Sequence, residues 1–373
     1  MQGILREDAG VERGIGPQAR DVRGEARYGG PAVERRALQE LRKRPLAREI
    51  LPLGEPRGDV PPRIRRERAV VILSSLVIHH GVQAMTTGVL TANEIDIEDI
   101  EYLRHGDKPL LARVFKPRGT GPFPLVVEVH GGAWCRGTRL NNKVIHETLA
   151  RSGVVVAAVD FRMPPDAGYP GSIADVNYAV RWFKSRAVDF RSRPERVGLL
   201  GTSSGGHIAM LVAMKPRDPR YAALSLSGTL AVVDSSVRCV VIGWPVIDPL
   251  GRYHHALKLK ADGQPELADH VAGDHLKYWG TEEAMAEGST TLLLERGDKL
   301  ETPPVLYLQG AQDTNHPRAS LDRFVAAYRN AGGKVELRLY DGEKQLFIPQ
   351  RPDSPASVDA LEKIVEFVHR NLR

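Results

Sequence analysis

Two cysteines, Cys135 and Cys239, are all that the 373 residues contain. A single pair makes no disulfide framework, and the absence of any Cys-x-x-Cys or Cys/His cluster excludes a structural zinc site of the common kinds. A reducing compartment, and so a cytoplasmic protein, is the simplest reading. Long apolar runs are also missing. Ala69–Ile78, the longest, has ten residues, whereas a membrane-spanning helix needs about 20. No secretory leader is visible: Glu7, Asp8 and Glu12 interrupt the early arginines, and no apolar run follows them. Aromatic residues are nearly absent from the first 68 positions, where Tyr28 stands alone. A segment so rich in Arg, Gly, Pro and Glu buries too little apolar surface to order itself.

The net charge of +6 is concentrated in that same segment. Residues 1–70 hold 16 Lys+Arg against 11 Asp+Glu, which leaves the rest of the chain near neutral. A basic arm could meet nucleic acid, but its interspersed acids and missing aromatics argue for no nucleic-acid partner. Three parts follow: an Arg/Pro/Gly-rich arm over 1–68, poorly ordered apart from a short helix near Val33–Leu41; a linker or cap segment over 69–93; and a main domain over 94–373 with an insertion at 248–300. We read the arm as an upstream extension whose composition resembles GC-rich DNA read through. A chain beginning at or shortly before Met85 is then expected to fold, and a failure to fold would favour the alternative, a helical arm over the site.

What the main domain does have is alternation. "IEDIEYL" and "LLARVFKP" read as a hairpin joined by "RHGDKP". "PLVVEVH", "VVVAAVDF", "RVGLLG", "VRCVVIGWPV", "PVLYLQG" and "VELRLYDG" are short β-branched runs, the texture of strands buried on both faces. Most are followed by segments of helical spacing, such as "SIADVNYAVRWFKSRA" and "SVDALEKIVEFVHRNL". The expected fold is α/β: a mostly parallel twisted sheet of about eight strands with helices on both faces. Asp248–Leu300 breaks the alternation and reads as an irregular insertion.

"GLLGTSSGGH" places Gly201, Ser203 and Gly205 as Gly-x-Ser-x-Gly between a strand and a helix. A sharp strand–turn–helix with small flanking residues lifts a serine hydroxyl above the sheet, beside backbone N–H groups that favour negative charge. No Lys-Ser or Lys-Thr follows, so the turn is not a phosphate loop. "HGGAW", His130–Trp134, lies just after an earlier buried strand, and its glycines can bring Gly131 and Gly132 N–H to a substrate oxygen, with Ser204 N–H as a third donor.

These two motifs, with "VDFRMPPDAGYPGSIADVNYAVRW" between them, resemble the hormone-sensitive-lipase and feruloyl-esterase-like carboxylesterase branches of the α/β-hydrolase family. The resemblance spans about Glu94–Arg373. Phe161 stands where relatives often have Tyr; Asp160, Arg162, Pro165, Pro170 and Asp175 keep the pattern and read as structural, with Arg162 pairing a carboxylate beneath the site. The family implies a serine carboxylic ester hydrolase working without cofactor or metal, with a triad in the order Ser, acid, His. Ser203 is then the nucleophile. Asp313 in "LQGAQDTNHP" is the acid, with Asp322 a weaker competitor. The histidine's place, in "DGEKQLFI", is held by Gln345.

A glutamine amide takes no proton near neutral pH. His316 stands too near Asp313 in sequence to reach its far side easily, His207 should point away from the nucleophile, and His369 should face solvent or its neighbours; of the rest, only His254 or His255 could approach the pocket. The implied protein is therefore an esterase impaired by an engineered or chance His→Gln change. The alternative is a natural non-hydrolytic protein that binds ligand through the same fold. Trp134, Trp244, Tyr278 and Trp279 are expected to line an apolar pocket for the acyl or aryl group of a small ester, although Trp244 and Trp279 read equally well as core. A homodimer stays open.

Overall fold

Alternating β-branched runs and amphipathic segments resolve into one eight-stranded sheet in the computed structural model, which describes residues 93–226 and 233–373. The arm, the linker and the Met85 start lie outside the described residues. The strands are β1 (Ile95–His105), β2 (Lys108–Pro117), β3 (Leu125–Val129), β4 (Val155–Val159), β5 (Val197–Thr202), β6 (Val240–Gly243), β7 (Val305–Gly310) and β8 (Val335–Tyr340). Their spatial order is β1-β2-β4-β3-β5-β6-β7-β8. The β1–β2 and β2–β4 pairs are antiparallel and the rest are parallel.

The central strands are apolar on both sides because both faces are covered. Leu125, Val127 and Val129 of β3 point into one cluster, while Val126 points into the other. In β7, Val305 and Tyr307 oppose Leu306 and Leu308 in the same way. This period of two is the strand repeat. Helices α1 (Lys143–Arg151) and α10 (Pro355–Leu372) cover one face; α2 (Gly171–Ser185), α3 (Ser204–Met214) and α8 (Arg318–Asn330) cover the other.

The insertion departs from the expectation. It is helical, not irregular: α4 (Pro249–Ala261), α5 (Pro265–Trp279), α6 (Glu282–Glu287) and α7 (Thr290–Glu295). Their starts carry standard signals. Asp248 Oδ1 accepts from Gly251 N at 3.1 Å, Thr281 and Ser289 cap α6 and α7, and Pro249 and Pro265 open α4 and α5. A last short helix, α9 (Phe347–Gln350), follows β8.

Arg162 pairs a buried carboxylate as expected. Asp175, fully buried, accepts from Arg162 N and Nη2 at 2.9 Å each, and lies 2.9 Å from His105 Nε2. Removing one partner of such a cluster leaves a shielded cation unpaired. Asp175→Ala is expected to cost about 3 kcal/mol in urea denaturation of the full chain. A loss near zero would mean that solvent, not Asp175, satisfies Arg162.

Candidate active site

Four loops at the C-terminal ends of strands converge, as the ligand sites of open parallel sheets do. They follow β3, β5, β7 and β8. A cavity of about 450 Å³ opens between them, lined by Gly131, Gly132, Thr202, Ser203, Asn315 and Gln345 among others.

Ser203 follows β5 and precedes α3 with φ 51° and ψ −123°. This left-handed backbone is strained for a serine. It is held by Ser203 N donating to Gly243 O at 2.9 Å and Ser203 O accepting from Val246 N at 3.0 Å. The turn can be this tight because position 205 is glycine: a Cβ there would lie 2.1 Å from Val129 O. Ser203 Oγ has no hydrogen-bond partner among the described residues.

The loop after β3 is equally constrained. Gly132 has φ +122°, and a Cβ there would lie 1.9 Å from Arg136 O. Ala133 and Trp134 follow at φ 52° and 60°. Trp134 N donates to Ser204 Oγ at 3.1 Å, which pins this loop to the start of α3. The N–H groups of Gly131, Gly132 and Ser204 make no hydrogen bond among the described residues. Beneath them Asn142 Nδ2 donates to Thr202 Oγ1 at 3.0 Å and to the buried Glu128 Oε1 at 2.9 Å.

The loops after β7 and β8 are arranged differently from expectation. Gln345 lines the Ser203 cavity, and its Oε1 accepts from Asn315 Nδ2 at 2.6 Å. Asp313 is buried but faces His316 instead: its Oδ2 is 2.8 Å from His316 Nδ1. Asp313 Oδ1 accepts from Asn315 N at 2.9 Å and His316 N at 3.2 Å. Those two bonds curl the chain back in three residues and bring the ring onto the carboxylate. Sequence proximity thus makes the Asp313–His316 contact, which the sequence reading had not foreseen. His316 Nε2 is buried without a partner. Asp322 lies on α8, half-exposed and paired with Arg318.

The aromatic lining is a second correction. None of Trp134, Trp244, Tyr278 and Trp279 lines the cavity. Trp134 is fully buried; its ring stacks on Tyr278 at 5.3 Å and meets Trp279 edge-on at 5.5 Å. The left-handed turn at Trp134 throws the indole inward, under α5, instead of toward a ligand. Trp244 packs on Phe347 in the opposite cluster. Glycines and small or polar side chains stand on the cavity wall instead. Arg136, Arg252 and His270 line it, three residues that sequence reasoning passed over. Neither His254 nor His255 does.

His207 faces away from Ser203, as expected. Trp134 Nε1 donates to its Nδ1 at 3.3 Å, so Nε2 carries the proton and donates to Gly288 O at 2.9 Å. Burial pushes His207 down to about 4. His275 falls to about 3, through burial and then the charge of Arg252. Both rings must stay neutral in the folded chain, while the unfolded chain protonates them near pH 6.5. The unfolded state therefore binds more protons between pH 6.5 and about 4, and stability falls as pH drops through that window. The expected loss from His207 alone is about 3 kcal/mol at pH 4, read as a falling melting temperature that His207→Gln flattens. A melting temperature independent of pH from 7 to 4 would show the ring accepting charge in place.

Among the described residues no group of three or more His, Cys, Asp or Glu is placed to hold a metal ion, and no helix is long and apolar enough to cross a membrane.

Comparison with known proteins gives a consistent picture. The family model described as BD-FAE matches residues 114–320. Esterase LipC of Mycobacterium tuberculosis is 27% identical over 248 residues, which cover 62% of this chain and 57% of LipC. Versiconal hemiacetal acetate esterase of Dothistroma septosporum is 24% identical over 273 residues, covering 72% of this chain and 77% of that protein. The chain thus spans a little over half the length of LipC, and 24% of that of the probable carboxylic ester hydrolase LipM of Mycobacterium tuberculosis. Among solved structures, the thermophilic carboxylesterase EstE1 from a metagenomic library superposes with a TM-score of 0.60 at 21% identity, covering 76% of this chain and 92% of EstE1. The hyperthermophilic esterase of Pyrobaculum calidifontis gives 0.60 at 22% identity, covering 75% and 87%. The fold they share with this chain is the α/β-hydrolase fold.

Proposed function

This chain belongs to the BD-FAE family, and from that premise we propose that it is a serine hydrolase of small carboxylic esters whose proton-transfer step is impaired by Gln345. The observation that carries the reading is the strained Ser203 turn, φ 51° and ψ −123°, sharing one cavity with Gly131 and Gly132, whose N–H groups are unengaged among the described residues. A backbone held in so unfavourable a state needs a reason, and exposing a nucleophile is the one the position offers.

In the forward step Ser203 Oγ bonds to the ester carbonyl carbon. The carbonyl oxygen becomes an oxyanion, received by the N–H groups of Gly131, Gly132 and Ser204. The C–O bond to the alcohol then breaks, leaving an acyl-serine that water hydrolyses. The Ser203 proton must pass through a base to the departing alkoxide. Gln345 occupies the wall of the cavity where that base is needed, and its amide can only hydrogen-bond. Asp313, the residue to orient such a base, is engaged by His316. The oxyanion donors remain in place, so binding and part of the electrostatic stabilisation persist while proton transfer does not.

The test is a fluorophosphonate probe read by intact mass. The Gln345→His chain is expected to gain one adduct, located on Ser203 and absent after Ser203→Ala. Ser203 staying unlabelled in the folded Gln345→His chain would overturn the reading.

A further inference from the structure

The cavity above Ser203 has three basic side chains on its wall, Arg136, Arg252 and His270, and no Asp or Glu. Arg136 is already matched, with Nη1 donating to Asp274 at 2.7 Å. Arg252 is not. It stands in the first turn of α4, where its Nε donates to the Asn315 carbonyl at 3.0 Å. Its Nη1 is sealed from solvent and has no acceptor. Among the described residues no carboxylate is bonded to it: Asp274 pairs with Arg136 and Asp313 with His316, and both act on Arg252 only as charges at a distance. Burial pulls its pKa down to about 10, which leaves it charged at neutral pH.

A guanidinium with one buried N–H left without an acceptor is costly. Buried polar groups in folded proteins almost always have partners, and the guanidinium that lacks one here also lines the cavity with its part-exposed remainder, where a ligand can meet it. The planar fork of arginine matches the two oxygens of a carboxylate. We propose that Arg252 is an anion-recognising residue of this cavity, and that the substrate is a small ester that also carries a carboxylate, such as a half-ester of a short dicarboxylic acid. The assignment rests on the reading of Ser203 as nucleophile. It adds the feature that an aromatic pocket would have lacked: the polar end of the ligand is held by α4 while the ester carbonyl lies over Ser203.

Binding separates this inference from hydrolysis. In the full chain carrying Ser203→Ala, monoethyl succinate, its neutral near-isostere ethyl butyrate, and monoethyl phosphate are titrated by calorimetry at neutral pH. Monoethyl succinate is expected to bind about tenfold or more tightly than ethyl butyrate, the size of a charge-assisted hydrogen bond. Arg252→Met is expected to bring the two within about twofold of each other, and Arg252→Lys to keep part of the preference as a point charge. The Arg252→Met melting temperature should fall little, because the buried Nη1 without an acceptor is removed together with the single Nε–Asn315 bond. Equal binding of succinate half-ester and butyrate ester, or a preference that survives Arg252→Met, overturns the proposal. Tighter binding of monoethyl phosphate than of monoethyl succinate overturns the carboxylate assignment. None of these readings depends on turnover, so failure here leaves the labelling result at Ser203 standing, and failure there leaves this one.

Discussion

Gln345→His is expected to raise kcat on p-nitrophenyl butyrate by about 10²- to 10⁴-fold, the range that a positioned general base supplies. The backbone needs no rebuilding for this gain. Gln345 already lines the Ser203 cavity, and the adjacent turn is fixed by Leu346 at φ 64° and by Phe347 and Ile348 in the core. The ester KM should change little, because the oxyanion donors and the cavity wall are the same in both chains. A rise in kcat with KM constant is the signature of an interaction made only in the transition state. Ser203→Ala in the same background should return the rate to that of the parent. A folded Gln345→His chain that hydrolyses no faster than the parent would show that the missing base is not at position 345.

The second large effect is expected at Asp313. In the Gln345→His chain Asp313→Asn should cancel most of the gain and bring the rate back to within about tenfold of the parent, as loss of the orienting carboxylate does in serine hydrolases. Asp322→Asn, on the exposed face of α8, should change nothing. His316 complicates the outcome in an informative way. It holds Asp313 Oδ2 at 2.8 Å, so a new imidazole at 345 must share that oxygen or displace His316. His316→Leu in the Gln345→His background is therefore expected to add about tenfold more, the worth of roughly one hydrogen bond. In the parent chain the same substitution should leave the residual rate unchanged. A drop of tenfold or more there would identify His316 as the working base and remove the proposed impairment.

The sheet was legible because burial on both faces writes itself as β-branched runs, and the hairpin of β1 and β2 because only one side of it is covered. The Gly-x-Ser-x-Gly turn was legible because steric limits at Gly205 leave almost no other residue type. Four features were not. The helices of the insertion went unread because capping residues such as Thr281 and Ser289 mark starts only when an apolar stripe follows, and α6 and α7 have six residues each. The destination of Trp134 depended on a left-handed φ at a non-glycine position, which composition does not announce. The Asp313–His316 contact depended on two backbone bonds to one carboxylate oxygen. Arg252 is one of 52 Lys+Arg, and only the packing around it reveals a buried N–H without an acceptor.

The strands β6 and β7 run parallel and adjacent, so some connection must carry the chain back across the sheet between them. About a dozen residues suffice for such a return, yet residues 244–304 are used. Part of that length is tied to the sheet, since Tyr253, Tyr278, Trp279, Met285 and Leu293 join the core cluster below it. The rest can be lengthened, trimmed or exchanged with little effect on strand pairing. Since Arg252 is carried on this detour, the choice of which molecule is admitted is inherited separately from the hydroxyl that would attack it. A transplanted detour from a relative should bring its donor's taste for ligands with it.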